Sequence, residues 1–240
     1  MVHAAFDSLG AIQVVDYRKH RILQFDSLFE QSKIELGRPW LPVHEYNRAM
    51  FLPVAFTRPS HVTVLGLGGG VMVGGLHRLL PESTIHVVEL RREVLTVARE
   101  FFDLPESEQI TITIGDGGAA VDTLPEASTD LLMADMYHAD RMSPAQAHRR
   151  FFRRCVRALT ADGWLAVNYH HEPDEILISQ LQKHFASLFR LTSRSDNTVL
   201  LAGRQKRVLA DSREDPLLGE LEQRLPIGWH HLMGKLEQVF

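Results

Sequence analysis

The run VTVLGLGGGVMVGGL, residues 62–76, sets six glycines among aliphatic residues and carries no charge. An aliphatic strand that dissolves into glycines can turn sharply and bring its backbone against a neighbour or a ligand, because no Cβ stands in the way. Taken alone the run is a weak signal, since strand-to-helix turns also use glycine for packing. It is too short and too glycine-dense to span a bilayer as a helix. Its meaning depends on the residues downstream.

From residue 61 onward, short aliphatic runs alternate with longer helical ones. HVTVLG (61–66), TIHVVE (84–89), ITITIG (110–115), DLLMAD (130–135) and WLAVNY (164–169) read as buried strands followed by turns. Helices are expected over 71–80, 91–102, 117–123, 144–159 and 173–187. Strict alternation implies right-handed crossovers and a parallel sheet covered on both faces. Segments 188–194 and 197–203 have no helix between them and are expected to form an antiparallel hairpin. A mostly parallel, doubly wound α/β sheet ending in a hairpin resembles the class I methyltransferase-like Rossmann fold.

The flanks read differently. VVDYRKHRILQF (14–25) predicts a β-hairpin and PVHEYNRAMFLPVAF (42–56) a helix entering the core. The tail after residue 204 is amphipathic and interrupted at Pro226-Ile227-Gly228, which predicts two short helices. The expected organisation is an N-terminal β-hairpin and entry helix (1–58), a nucleoside-binding domain (59–204) and a helical tail (205–240). Over 144–159, Arg149, Arg150, Arg153, Arg154 and Arg157 fall on one helix face, with Phe151, Phe152, Cys155, Val156 and Leu159 on the other. Such a charged stripe is read as a solvated surface rather than a docking patch.

Composition removes several function classes. A net charge of −4 over 240 residues argues against nucleic acid as the main partner. The single cysteine, Cys155, rules out an intramolecular disulfide and fits a reducing compartment; its place on the apolar helix face makes it a core residue. MVHAAFDSLG has no signal-peptide character, so a cytoplasmic protein without a membrane partner is expected. The thirteen histidines include the pairs His170-His171 and His230-His231, but adjacent residues on a strand point to opposite faces, so no metal site is expected.

Three acids come at the ends of successive strands. Glu89 ends the second, where a carboxylate can accept from both hydroxyls of a ribose laid over the first loop; Asp116 comes after the third and can accept from an adenine amino group; Asp135 comes after the fourth. Each by itself reads equally well as a strand-end or helix-cap residue. Together with the glycines they mark one ligand edge, and the GDG turn and terminal hairpin favour an adenosyl sulfonium over a dinucleotide. His138 and His170 come just after strand ends and can line the same pocket as acid–base groups.

VTVLGLGGG, VVELRREVLTVAREFF, ITITIGDGGAAV and TDLLMADMYHAD, with DSLFEQS and EYNRAM upstream, together resemble the spermidine synthase (polyamine aminopropyltransferase) family over roughly residues 14–203. That resemblance implies a cytoplasmic transferase of polyamine biosynthesis, with decarboxylated S-adenosylmethionine or S-adenosylmethionine as co-substrate, a small-molecule amine as acceptor, and a homodimer joined partly through the N-terminal region. It implies that Glu89 binds the ribose, Asp116 with Gly117 the adenine, and the loop of Gly66, Gly68, Gly69 and Gly70 the sulfonium side chain. It also implies that Asp135 orients and deprotonates the amine, and that Tyr46 borders the active site.

The departures bear on specificity. The family's loop aspartate is Gly69 here, its second fourth-strand acid is His138, its tyrosine-histidine-glutamate helix motif reads Tyr46-Asn47-Arg48, and LTSRSDNTVLLAG has no polyamine-closing loop. A diamine is dicationic at neutral pH and calls for paired carboxylates. An acceptor less charged than putrescine is therefore expected. Without an acid at residue 69, S-adenosylmethionine itself is admitted. Aminopropyl transfer, methyl transfer and nucleoside binding without catalysis all remain open on the sequence alone.

Overall fold

The computed structural model describes residues 1–26, 30–137, 143–170 and 172–240. The chain opens with β1 (His3–Asp7), β2 (Gly10–Tyr17), β3 (His20–Gln24) and β4 (Glu30–Glu35), then α1 (Glu45–Met50) and α2 (Val54–Thr57). Next along the chain is the alternating core: β5 (His61–Leu65), α3 (Val71–Leu79), β6 (Thr84–Glu89), α4 (Arg92–Phe101), β7 (Ile110–Ile114), α5 (Gly117–Thr123) and β8 (Thr129–Ala134). A 3-10 turn (Pro144–Ala147) leads to α6 (Arg149–Ala158), β9 (Leu159–Tyr169), α7 (Glu175–Gln182), β10 (Ser187–Thr192) and β11 (Thr198–Gly203). The tail holds α8 (Leu209–Arg213), α9 (Leu217–Arg224), α10 (Trp229–Lys235) and β12 (Glu237–Gln238).

Eight strands form the main sheet in the order β12-β10-β11-β9-β8-β5-β6-β7. The β9-β8-β5-β6-β7 portion is parallel and β11 runs against it, as the alternation and the missing helix require. Side chains alternate across the sheet. Val62, Val64, Leu131, Met133 and Ala166 enter one core, while Leu65, Leu132, Ala134, Leu165 and Val167 enter the other. The strand order reverses between β5 and β8, so the chain leaves the sheet in opposite directions there and opens a crevice at the strands' C-terminal ends.

Several boundaries differ from the sequence reading for local reasons. The N-terminal hairpin is the middle of a four-stranded antiparallel sheet, β1-β2-β3-β4. Its Ile12, Val14, Leu23 and Ile34 share a core with Val94, Leu95 and Ala98 of α4. The entry helix is two helices, interrupted from Phe51 to Pro53 because the proline has no amide proton to continue the ladder. The 144–159 helix breaks at His148, whose backbone is extended. The tail does break at Pro226–Gly228, but has three helices and a short strand that pairs with β10. On α6, Arg150 and Arg154 pair with Asp122, while Arg157 donates to the carbonyls of Val121, Asp122 and Leu124, capping the end of α5. Part of the basic stripe therefore serves packing. No described helix is long and apolar enough to cross a membrane.

Arg91 joins the two sheets at the edge of the crevice. Its guanidinium makes a bidentate pair with Asp7 (2.9 and 2.8 Å), donates to the Gly10 carbonyl (2.8 Å) and lies 4.5 Å above the Phe25 ring. The Arg91 hydrogen bond, the largest influence, holds the Asp7 carboxyl below its ordinary pKa. Arg91→Leu strands a carboxylate and a carbonyl, and is expected to cost about 2–3 kcal/mol in urea unfolding at pH 7. Arg91→Lys should recover only part, lacking the fork. The stabilisation should be full above about pH 4, the ordinary carboxylate range, and fade as pH falls through the lowered pKa of Asp7. An unchanged unfolding midpoint in Arg91→Leu would show that this junction contributes nothing.

Candidate functional site

A cavity of about 550 Å³ lies over the C-terminal ends of β5, β6, β8 and β9, roofed by β4, α1 and the β10–β11 turn. Its floor depends on Gly66, at the end of β5. With φ of +95°, it passes so close to the chain leaving β8 that a Cβ there would stand 2.3 Å from the Asp135 carbonyl oxygen. Its amide bonds back to Val88 and the Asp135 amide to Leu65, both at 2.9 Å, so three strand ends are laced together. Gly66 and Gly68 line the cavity. Gly69 and Gly70 are not among its lining residues: a Cβ on Gly69 would press on Ser32 and Phe102 (2.8 Å each), and one on Gly70 on Leu104 (2.6 Å). Those two glycines answer to packing.

Glu89 is 6% exposed and faces the first loop. One carboxylate oxygen accepts from the Leu67 amide (2.9 Å) and the other from the Arg91 amide (2.8 Å). Burial pushes its pKa up, against the pull of the peptide donors and the Arg91 charge. The carboxylate therefore both shapes the loop and presents its remaining lone pairs to the cavity. Asp116 caps α5, accepting from the Ala119 amide at 2.7 Å, and lines the cavity with Gly117. A Cβ on Gly117 would lie 2.5 Å from the Met136 sulfur, so this turn too lies close against its neighbour. Its capping role and its place in the cavity are compatible, since one carboxylate offers several acceptor sites.

Asp135 has a different environment. Its Oδ1 accepts from the Asn168 side-chain amide at 2.8 Å. Burial pushes its pKa up to about 6, and the Asn168 hydrogen bond opposes that rise. Tyr46 and Tyr137 line the cavity beside it; burial first, then the Asp135 charge, raises both phenols above their ordinary pKa, so both stay protonated. Tyr137 donates to the Asn168 backbone carbonyl at 3.2 Å. His170 is also in the lining. His138 lies outside the described residues.

Other lining residues were missed in the sequence. His44 stacks on Tyr46 (centroids 5.6 Å apart), and its Nε2 is 3.6 Å from Glu30, which Lys33 holds at 3.1 Å. Burial lowers the His44 pKa, with Glu30 opposing, so the imidazole is neutral at pH 7. Asn168, Ser195 and Asn197 border the Asp135 side. The one legible hint was Asn168, a polar residue in the otherwise apolar strand WLAVNY. Among the described residues, no three His, Cys, Asp or Glu side chains cluster for a metal ion.

A mostly parallel sheet with a reversal of strand order and a crevice at its C-terminal strand ends is a methyltransferase-like fold. The model of the spermine/spermidine synthase domain matches residues 44–197, well over half of the chain, and the protein belongs to that family. It is 32% identical over 152 residues to the polyamine aminopropyltransferase of Neisseria meningitidis serogroup B, a match that covers 62% of this chain and 57% of that relative. The fold is similar to that of a probable spermidine synthase from Corynebacterium glutamicum (TM-score 0.77, 18% identity, 93% of this chain and 86% of that one). It is also similar to human methyltransferase-like protein 13, solved in complex with SAH (TM-score 0.63, 23% identity, 80% and 93%). At these identities the two structures speak for the fold.

The raised pKa of Asp135 carries a stability consequence. Folding disfavours its ionised form, so the cost is absent below the ordinary carboxylate range, grows as pH rises, and is complete above about pH 6. Asp135→Asn keeps an acceptor for Asn168 and removes the buried charge. It is expected to stabilise the ligand-free protein by on the order of 2 kcal/mol at pH 7.5, with the gain vanishing below about pH 4. Denaturation at both pH values checks this; equal stability of the two proteins at pH 7.5 would refute the buried-charge reading.

Proposed function

We propose that this protein binds an adenosyl sulfonium, decarboxylated S-adenosylmethionine or S-adenosylmethionine, and transfers a carbon group from its sulfur to an amine. One observation carries this reading: Glu89, Asp116 and Asp135 line a single cavity, and the last is a carboxylate held by a neutral amide. Glu89 would take the ribose hydroxyls, Asp116 and Gly117 the adenine, and the Gly66–Gly68 backbone the sulfonium side chain. The amine nitrogen attacks the carbon next to sulfur, the carbon–sulfur bond breaks, and its electron pair leaves on a neutral thioether. The leaving group needs no proton. Asp135 accepts the amine's proton and fixes the lone pair toward the carbon, combining base and positioning effects.

Aminopropyl transfer is the first reading, on family membership. Methyl transfer is the second, favoured by Gly69, which puts no carboxylate in the first loop to repel that of S-adenosylmethionine. The described surroundings of Asp135 supply neutral hydrogen-bonding groups (Tyr46, Asn47, Asn168, Ser195, Asn197), and Glu30 is already held by Lys33. These support an acceptor with a single ammonium in preference to putrescine. A homodimer through the N-terminal sheet belongs to the same proposal, supported by Phe6 on the edge strand β1 (74% exposed) and Tyr17 at the end of β2 (57%).

Calorimetry with both sulfonium nucleosides and with methylthioadenosine tests the binding step, and mass analysis of products separates aminopropyl from methyl transfer. At least one nucleoside is expected to bind, and Glu89→Ala to lose roughly a hundredfold in affinity, the worth of two charge-assisted hydrogen bonds. Unchanged affinity in that variant would misplace the ribose. Asp135→Asn should keep the affinity for the uncharged methylthioadenosine within about twofold and lower turnover roughly a hundredfold or more. Efficient spermidine formation from putrescine would overturn the acceptor argument. Sedimentation is expected to give a dimer that Phe6→Glu dissociates; a monomeric wild type would overturn the dimer.

A further inference from the structure

We propose that Asn197, in the turn between β10 and β11, is a positioning residue that acts on the Asp135 carboxylate through Asn168, at the far end of a hydrogen-bond chain whose donors all point toward that carboxylate. The proposal rests on the reading of Asp135 as the residue that meets the amine, and deepens it. The geometry is independent of that reading.

Asn168 can present either end of its side-chain amide to Asp135, and only the NH₂ end supports a carboxylate. The choice is made one link away. Asn197 Nδ2 donates to Asn168 Oδ1 at 3.1 Å, which leaves Asn168 Nδ2 for Asp135 at 2.8 Å. Asn197 is oriented in turn, because its Oδ1 accepts from the Ser195 hydroxyl at 3.1 Å. Since Ser195 has spent its one proton, the 3.0 Å contact between the Ser193 and Ser195 hydroxyls has Ser193 as donor. The sense of the chain is fixed throughout: Ser193, Ser195, Asn197, Asn168, Asp135. Aligned hydrogen bonds polarise one another, so each link strengthens the last.

The scaffold around the chain is closed. Asn168 and Asn197 are 1% and 8% exposed. The Ser193 amide donates to the Asn197 carbonyl at 2.7 Å, and the Arg194 amide to Glu45 at 2.9 Å. Lys235 of α10 holds the other oxygen of Glu45 at 2.7 Å, so the turn is pinned to α1 and to the tail. The Asn168 carbonyl accepts from Tyr137 and from Gln146, both at 3.2 Å. Titratable and charged groups face the same cavity from every side: Glu30 of β4, His44 and Tyr46 at α1, Glu89 and Arg91 at the end of β6, Asp116 after β7, Tyr137 after β8 and His170 after β9. The neighbouring phenols add no positive charge, and burial raises the carboxyl's pKa against the one amide that lowers it. Loss of the Asn197 donor frees Asn168 to turn its carbonyl toward Asp135, which disfavours the carboxylate.

The test reads Asp135 itself and needs neither nucleoside nor acceptor. Carbon-13 NMR of aspartate-labelled protein tracks the carboxyl titrations, with the Asp135 signal identified by its loss in Asp135→Asn. In Asn197→Leu the Asp135 titration is expected to move up by about one pH unit, and in Ser195→Ala by a few tenths in the same direction. A merely structural role lowers the melting temperature of these variants and leaves the titration in place. If Asn197→Leu does not fold, Ser195→Ala and its sign decide. A midpoint within about 0.2 pH units of wild type in the folded variants overturns the proposal, whatever happens to stability. It can fail while the transferase reading stands, and that reading can fail in calorimetry while the titration shift is found.

Discussion

The close passage of Gly66 beneath the chain leaving β8 is the constraint on which the site depends. Any side chain at residue 66 would drive its Cβ into the Asp135 carbonyl, so the first loop and the acid after β8 come together only with glycine there. Because the β5 loop turns at that point, the Leu67 amide can reach the Glu89 carboxylate. Because Glu89 also accepts from Arg91, the end of β6 is held in line with the loop. Parallel strands all end at one edge, and the reversal of strand order between β5 and β8 leaves that edge open. The pocket is what a glycine-rich turn and three strand-end acids become when their strands are neighbours.

Three carboxylates of similar chemistry acquire different characters from their partners. Asp116 caps a helix. Glu89 is buried against peptide donors, which hold a carboxylate without supplying a mobile proton or a counter-ion. Among the described residues Asp135 accepts from one neutral amide, and burial raises its pKa into the range where it can exchange a proton near neutral pH. Arg91 lines the same cavity, and the N-terminal sheet holds its guanidinium: Asp7 pairs with it, the Gly10 carbonyl accepts from it and the Phe25 ring lies beneath it. A small β element thereby affects the electrostatics of a pocket whose floor belongs to another sheet.

The strands and the acids were legible because both obey short-range rules. A fully buried parallel strand is a short aliphatic run, and the residue after it lies at the ligand edge whatever the rest of the chain does. What stayed hidden depended on partners distant in sequence. Gly69 and Gly70 read like the other glycines of the loop, but Ser32, Phe102 and Leu104 decide where they face. The polar strand EQSKIE has no apolar alternation strong enough to announce β4, which forms because β3 offers an edge. Asn168 and Asn197 lie 29 residues apart and meet only because β9 and β11 are paired. The helix expected over 144–159 failed on one backbone, that of His148, which nothing in its residue type foretold.

The electrostatics of the pocket bear on how the proposed reaction would proceed. The proposed ligand would bring a cation of its own. A sulfonium placed near Asp135 favours its ionised form, so nucleoside binding and loss of the carboxyl proton are linked: each promotes the other by the same free energy. Without nucleoside, a carboxyl with a pKa of about 6 is partly protonated in mildly acidic solution and is a poor partner for an arriving ammonium. With a sulfonium bound it would be ionised, would attract the amine as its ammonium form, and would take the proton as the lone pair is committed to carbon. After transfer the sulfur would be neutral, the positive charge would sit on the product amine, and the carboxyl would hold the proton it took. A protonated carboxyl would hold a cationic product weakly, which favours its departure. A neutral amide is the partner such a cycle calls for, because a fixed arginine or lysine at the same place would hold Asp135 ionised throughout and remove the coupling.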